Sequence, residues 1–126
     1  MKAIVQEEYG NADEVLQLRD VSTPVPGDDE VLVRVRAASV HPDVWHIVSG
    51  RPSVIRLMGV GFRKPKHPVP GTELAGTVEA VGGNVTQFVA GDDVFGESHG
   101  GMPWRNGGAF AEPTAVPQDA RALKPD

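Results

Sequence analysis

The chain has 126 residues, room for one domain that buries roughly two thirds of the surface its unfolded form exposes, and none for a second large one. Fifteen glycines and eleven prolines favour many short elements joined by turns over long helices, and the absence of cysteine excludes disulfides, thiolate nucleophiles and Cys-ligated zinc or iron–sulfur sites. The net charge of −5 is unevenly spread: residues 1–30 carry eight acids and two bases, whereas 44–72 hold no acid and five bases, Arg51, Arg56, Arg63, Lys64 and Lys66. That cationic segment fits a solvated face, an interface with an acidic neighbour, or an anion site for a phosphate-bearing ligand. Nucleic acid is not expected, since the domain is acidic and only Phe62 supplies an aromatic nearby. The N-terminus turns acidic at Glu7-Glu8 without the apolar core of a signal peptide, and no apolar run approaches membrane-spanning length. With no cysteine, this reads as a cytoplasmic protein without membrane association.

In chain order, Ala3 to Glu7 and Val15 to Val21 predict a pair of strands forming a hairpin. Thr23-Pro24-Val25-Pro26-Gly27-Asp28-Asp29 is a turn, because its prolines fix φ and remove ladder donors. In Val31 to Ala38 the valines at 31, 33 and 35 alternate with Arg34 and Arg36, the period of a half-buried strand. Pro42 to Ser49 predicts a short helix: proline suits the first helical position, Asp43 the positive first turn, and Gly50 the left-handed cap. A second short helix is expected from Ser53 to Met58. The apolar cluster of Val54, Ile55, Leu57, Met58, Val60 and Phe62 is either core or an exposed interface patch. Strands return at about 73–81, 92–97 and 108–116. In the block Pro70-Gly71-Thr72-Glu73-Leu74-Ala75-Gly76, glycines before and inside a strand imply a sharp bend or the close approach of another backbone. The whole predicts a mainly β fold, a small barrel with one or two short helices.

These pieces occur together in an order that resembles the N-terminal GroES-like catalytic domain of the medium-chain dehydrogenase/reductase superfamily. The resemblance rests on the opening strand pair, Asp29-Glu30-Val31-Leu32-Val33 after a Pro-Gly turn, and Ala38-Ser39-Val40-His41-Pro42-Asp43. The Gly71 block, Gly91-Asp92-Asp93-Val94-Phe95-Gly96 and Gly107-Gly108-Ala109-Phe110-Ala111-Glu112 complete it. It implies a partly open GroES-like β-barrel spanning 1–126. Within the superfamily the chain looks like the zinc-independent quinone oxidoreductase branch. Where zinc-dependent members read Gly-His-Glu-x-x-Gly, Thr72 replaces the metal-binding His; His41 falls where they place their first metal-binding Cys. The segment between Gly96 and Gly107 lacks their cysteine-rich lobe. The resemblance thus implies no metal, and His41 and His46, five apart, do not share a helical face.

Full-length relatives of that branch reduce quinones, enones or similar carbonyl compounds with NADPH. No Rossmann G-x-G-x-x-G unit occurs in this chain; Gly59-Val60-Gly61 is a fragment of the pattern with no apolar strand before it. The expectation is therefore half of an enzyme, inactive alone, whose partners are a missing cofactor-binding domain, a small-molecule carbonyl or quinone, and a second copy when full length. By family position His41, Asp43, Trp45 and Thr72 should face the nicotinamide and substrate. His41 either donates a hydrogen bond or proton to a developing oxyanion or caps the helix starting at Pro42, and Trp45 serves packing or substrate contact. Gly71, Glu73 and Gly76 are the structural motif, Glu73 being a buried carboxylate in need of a donor or cationic partner. The competing reading is an autonomous GroES-like module that binds a partner or small molecule without redox chemistry.

Overall fold

The structure is a computed structural model that describes residues 1–40, 42–51, 68–98 and 108–125. Strands β1 (Lys2–Gln6) and β2 (Leu16–Asp20) pair antiparallel, from Lys2 opposite Asp20 to Gln6 opposite Leu16. The hairpin is as expected, except that Val15 ends a single helical turn, α1 (Ala12–Val15), rather than opening β2. Strands β3 (Glu30–Ala38), β4 (Glu73–Val81), β5 (Asp93–Glu97), β6 (Pro113–Pro117) and β7 (Arg121–Leu123) form a second, antiparallel sheet in the order β6-β3-β4-β5-β7. Its edge strands do not pair with each other, so the architecture is a partly open barrel, mainly β, with two short helices among the described residues.

The alternation read in β3 is what builds the core. Val31 and Val33 are fully buried, and with Leu74, Val78, Phe88, Val94, Ala109 and Val116 they form one apolar cluster between the sheet and its covering loops. Arg34 and Arg36 lie exposed on the opposite face, where Arg34 pairs with Glu79. Each buried valine contributes about 1.5–3 kcal/mol relative to leaving it in water, so the register that keeps 31 and 33 inward is strongly favoured over a one-residue slip.

Gly76 shows why the β4 sequence needs its glycine. A Cβ there would stand 2.1 Å from the Arg34 carbonyl oxygen and 2.8 Å from Val33 Cγ1. β3 shifts register on both sides of this point, between Leu32 and Val33 and between Val35 and Ala37, so two twisted strands come closest where no side chain intervenes.

The third predicted strand starts later than expected. Residues 108–112 make only a bridge, Ala3 opposite Ala111, and the strand proper runs from Pro113 to Pro117. Its prolines are accommodated because β6 is an edge strand with one unpaired side. The bridge has a purpose: Ile4 N–H donates to the Phe110 carbonyl at 2.8 Å and Glu112 N–H to that of Lys2 at 3.0 Å, tying the hairpin to the main sheet.

Helix α2 (Pro42–Ser49) forms where its end signals place it. Gly50 takes φ +68°, and the amides of Gly50 and Arg51 both donate to the His46 carbonyl, at 2.9 and 3.2 Å, closing the last turn. Val44 and Val48 pack on Val15, with Leu16 and Phe110 alongside. The expected helix at Ser53–Met58, the apolar cluster 54–62, and Arg56, Arg63, Lys64, Lys66, His67 and His99 lie outside the described residues. No helix among the described residues is long and apolar enough to cross a membrane.

Candidate functional site

The Gly71 block is held from three directions. Gly71 itself takes φ +98°, and a Cβ there would meet Phe110 Cδ1 at 2.7 Å and Ala109 Cβ at 2.8 Å. Both the conformation and the contact therefore require glycine. From one side the amides of Gly108 and Phe110 donate to the carbonyls of Val69 and Pro70 at 3.0 Å each. From another, Gln6 N–H donates to the Pro68 carbonyl at 2.6 Å. From the third, the backbone N–H of Ser98 donates to the Thr72 carbonyl at 2.7 Å, and its buried hydroxyl lies 3.2 Å and 3.3 Å from the carbonyls of Thr72 and Gly71. Thr72 is buried as a result, 5% exposed.

Glu73, the first residue of β4, reaches the connection that leaves β3. Its carboxylate accepts from Ser39 Oγ at 2.9 Å, and its carbonyl accepts from Ser39 N–H at 3.2 Å. This corrects the expectation of a buried carboxylate: Glu73 is exposed, because at the mouth of the sheet its side chain falls on the outward parity, and a hydroxyl is its partner. The contact brings the β3–α2 connection and the Gly71 block together. His41 lies outside the described residues, and Asp43 occupies the first turn of α2.

Trp45 stands on the exposed side of α2, 55% exposed, whereas Ile47 two positions on is 1% exposed. Its ring meets that of His46 edge-on, with centroids 4.9 Å apart, and His46 Nδ1 lies 2.7 Å from the Arg51 carbonyl. The helix that carries these side chains is fixed by Gln6. This glutamine is fully buried, and its Nε2 donates to the Val48 carbonyl at 2.6 Å and to that of Glu8 at 3.0 Å, so the end of β1 holds the end of α2.

Gln6, Ser39 and Ser98 were missed in the sequence. Each is a common polar residue whose role depends on a partner 26 to 42 positions away, and no local pattern marks such a pairing.

Among the described residues no group of three or more His, Asp or Glu could hold a metal ion. Nor do those residues fit a dinucleotide. Every strand pair is antiparallel and only one helix exceeds a single turn, whereas a pyrophosphate site of the Rossmann type needs a parallel βαβ unit with a glycine turn facing a helix N-terminus. The geometry supplies a braced, buried threonine and an exposed aromatic side chain on α2.

Comparison with known proteins places the chain in a family. The alcohol dehydrogenase GroES-like domain matches residues 27–126. Human quinone oxidoreductase is 42% identical over 100 residues, 78% of this chain and 27% of that protein. The chloroplastic quinone-oxidoreductase homolog of Spinacia oleracea is 33% identical over 128 residues, 99% of this chain and 35% of that protein. Among solved structures, the quinone oxidoreductase of Escherichia coli complexed with NADPH superposes with a TM-score of 0.77 at 25% identity, over 99% of this chain and 33% of that one. The chain thus spans about a third of the length of these relatives. It belongs to the alcohol dehydrogenase GroES-like domain family and corresponds to the N-terminal part of quinone oxidoreductase-like members of the medium-chain dehydrogenase/reductase superfamily.

Proposed function

We propose that the chain is the substrate-side half of a zinc-independent, NAD(P)H-dependent oxidoreductase that reduces quinones, enones or related carbonyl compounds in the cytoplasm. The nicotinamide supplies the hydride when bound, and a cofactor-binding domain outside this chain holds it. The observation that carries the reading is Thr72. It occupies the position of the metal-binding His in the zinc-dependent motif, in a buried, hydrogen-bonded strand start. Zinc sites are built from Cys sulfur, His nitrogen and carboxylate oxygen, not from a threonine hydroxyl, so this position serves shape and hydrogen bonding instead. The NADPH complex of the Escherichia coli relative supports the choice of cofactor.

In this reading Thr72, Asp43 and Trp45 line the substrate cleft and His41 donates a hydrogen bond or proton to the substrate oxygen. The 126-residue chain alone does not turn over, and the full-length enzyme is a homodimer that binds neither nucleic acid nor membrane. The test is NADPH oxidation by the full-length enzyme with a quinone acceptor, before and after exhaustive chelation, with zinc measured by ICP-MS. The expected result is turnover indifferent to chelation and no stoichiometric zinc; loss of activity restored by zinc refutes the proposal. In the same assay His41→Ala should lower kcat/KM by about a hundredfold, the low edge of general acid–base contributions. A change within about twofold would assign His41 to capping α2 and remove it from the chemistry.

A further inference from the structure

We infer that Ser39 and Glu73 are positioning residues for the reductase reaction: the two hydrogen bonds between them set how far the first turn of α2 stands from Thr72 across the substrate site. This role rests on the reductase reading. Every contact it uses lies within the chain, so it requires no surface to stay open.

Helix α2 is tied at both ends to the segment that carries Thr72. At its far end the Val48 carbonyl accepts from Gln6 Nε2 at 2.6 Å and from Gly10 N–H at 3.2 Å, while Gln6 N–H donates to the Pro68 carbonyl. At its near end the pairing of β3 with β4 stops at Ala38 opposite Leu74. The next residue, Ser39, donates twice to Glu73, through its N–H to the carbonyl at 3.2 Å and through its Oγ to the carboxylate at 2.9 Å. Three residues later Pro42 opens the helix. Glu73 directly follows Thr72, which is buried and held by Ser98. Both ties therefore refer α2 to one fixed segment, 68–73.

Two points of attachment remove the swing that one would leave. An α-helix of eight residues is about 12 Å long, so one held at Val48 alone turns by roughly 5° when its first turn moves about 1 Å. A misplacement of about 1 Å can cost on the order of a hundredfold in rate. The Ser39 hydroxyl thus has leverage over the site although it stands three residues outside the helix.

The residue type at position 73 points to the same role. Glu73 opens β4 opposite Glu97 of β5, and neither carboxylate forms an ion pair among the described residues. Like charges facing each other across two strands weaken a sheet, and glutamate is a poor strand former. Such local costs are kept where function needs the residue, and what Glu73 supplies is an acceptor for the Ser39 hydroxyl. The requirement is for acceptance, not for charge.

The test combines steady-state kinetics of the full-length enzyme, with NADPH and a quinone, and amide hydrogen exchange of the 126-residue chain. Ser39→Ala and Glu73→Ala should each lower kcat about tenfold with KM within about twofold. Each should also speed exchange in α2 and leave β4 unchanged. Because both remove the same bond, the double variant should be no slower than either single one. Ser39→Thr keeps the hydroxyl and Glu73→Gln keeps an acceptor, so both should stay within about threefold of the parent kcat. Glu79→Ala, which removes the ion pair with Arg34 further along β4, controls for general loosening of the sheet and should leave kcat unchanged. A parent that oxidises NADPH with no quinone or enone refutes the reductase reading, and the positioning role with it. An active parent whose Ser39→Ala and Glu73→Ala variants keep its kcat refutes the positioning role alone. Losses that add in the double variant, that Glu73→Gln shares, or that Glu79→Ala reproduces also overturn it, since they would come from charge or sheet stability.

Discussion

Replacing Gly76 by alanine probes the point at which β3 and β4 depend on each other most directly. The new Cβ would lie 2.1 Å from the Arg34 carbonyl oxygen, while real Cβ atoms essentially never come within 3.0 Å of such an atom, so the strands must part by about 0.9 Å. A ladder bond near 2.9 Å then stretches to roughly 3.8 Å, beyond hydrogen-bonding range. Losing about two such bonds costs ~1 kcal/mol each, and crowding Val33 Cγ1 adds an overpacking cost of about 1–3 kcal/mol. Against this stands ~0.4–1 kcal/mol from a less flexible unfolded chain. The net expectation is a loss of about 2–4 kcal/mol. Urea unfolding followed by far-UV circular dichroism is the assay; with a slope of about 2 kcal/mol/M the midpoint should fall by roughly 1–2 M. Gly91→Ala is the control. Gly91 has φ +98° but nothing within 4 Å of its would-be Cβ, so it should lose only about 1–2 kcal/mol from the left-handed backbone. A Gly76→Ala midpoint within about 0.3 M of the parent, or a larger loss at Gly91, would refute the argument that close backbone approach is what β4 requires.

Gln6→Leu removes the two donors that hold the Val48 and Glu8 carbonyls and should cost about 1–3 kcal/mol, with faster hydrogen exchange in α2 than in β4; exchange unchanged in α2 would mean that Gln6 does not anchor it. The two faces of α2 should respond differently to truncation. Ile47→Ala is expected to lose about 2–5 kcal/mol and Trp45→Ala less than about 1, and equal losses in denaturant titrations would contradict the exposed placement of Trp45. Ser98→Ala should cost ~1 kcal/mol and retain the fold, since the Ser98 amide still donates to Thr72. Thermal melts that show no loss would assign the hydroxyl no part in bracing the Gly71 block.

The candidate site was legible in the sequence in an uneven way. The Gly71 block was identifiable because its glycines stand at positions where a strand begins and where backbones cross, and the structure gives each a steric reason, Phe110 and Ala109 at Gly71 and Arg34 at Gly76. The same reading took Glu73 for a buried carboxylate in need of a donor or cationic partner. Strand parity turns it outward onto Ser39. His41 and the segment from 52 to 67, with the expected second helix and four of the five bases of the cationic stretch, lie outside the described residues.

By itself the sequence determined what is local. The period-two valines of β3, the proline and glycine that bound α2, and the nine residues of β4 all follow from side-chain spacing and backbone preference within a few positions. Tertiary structure decided what involves distant partners: that Val15 closes a turn of helix, that Pro113 begins an edge strand instead of lying inside one read from about 108 to 116, and that Gln6 is buried to hold α2. Burial and hydrogen-bond satisfaction depend on which segments meet. In an antiparallel sheet of order β6-β3-β4-β5-β7 those segments lie tens of residues apart, beyond the reach of any local pattern.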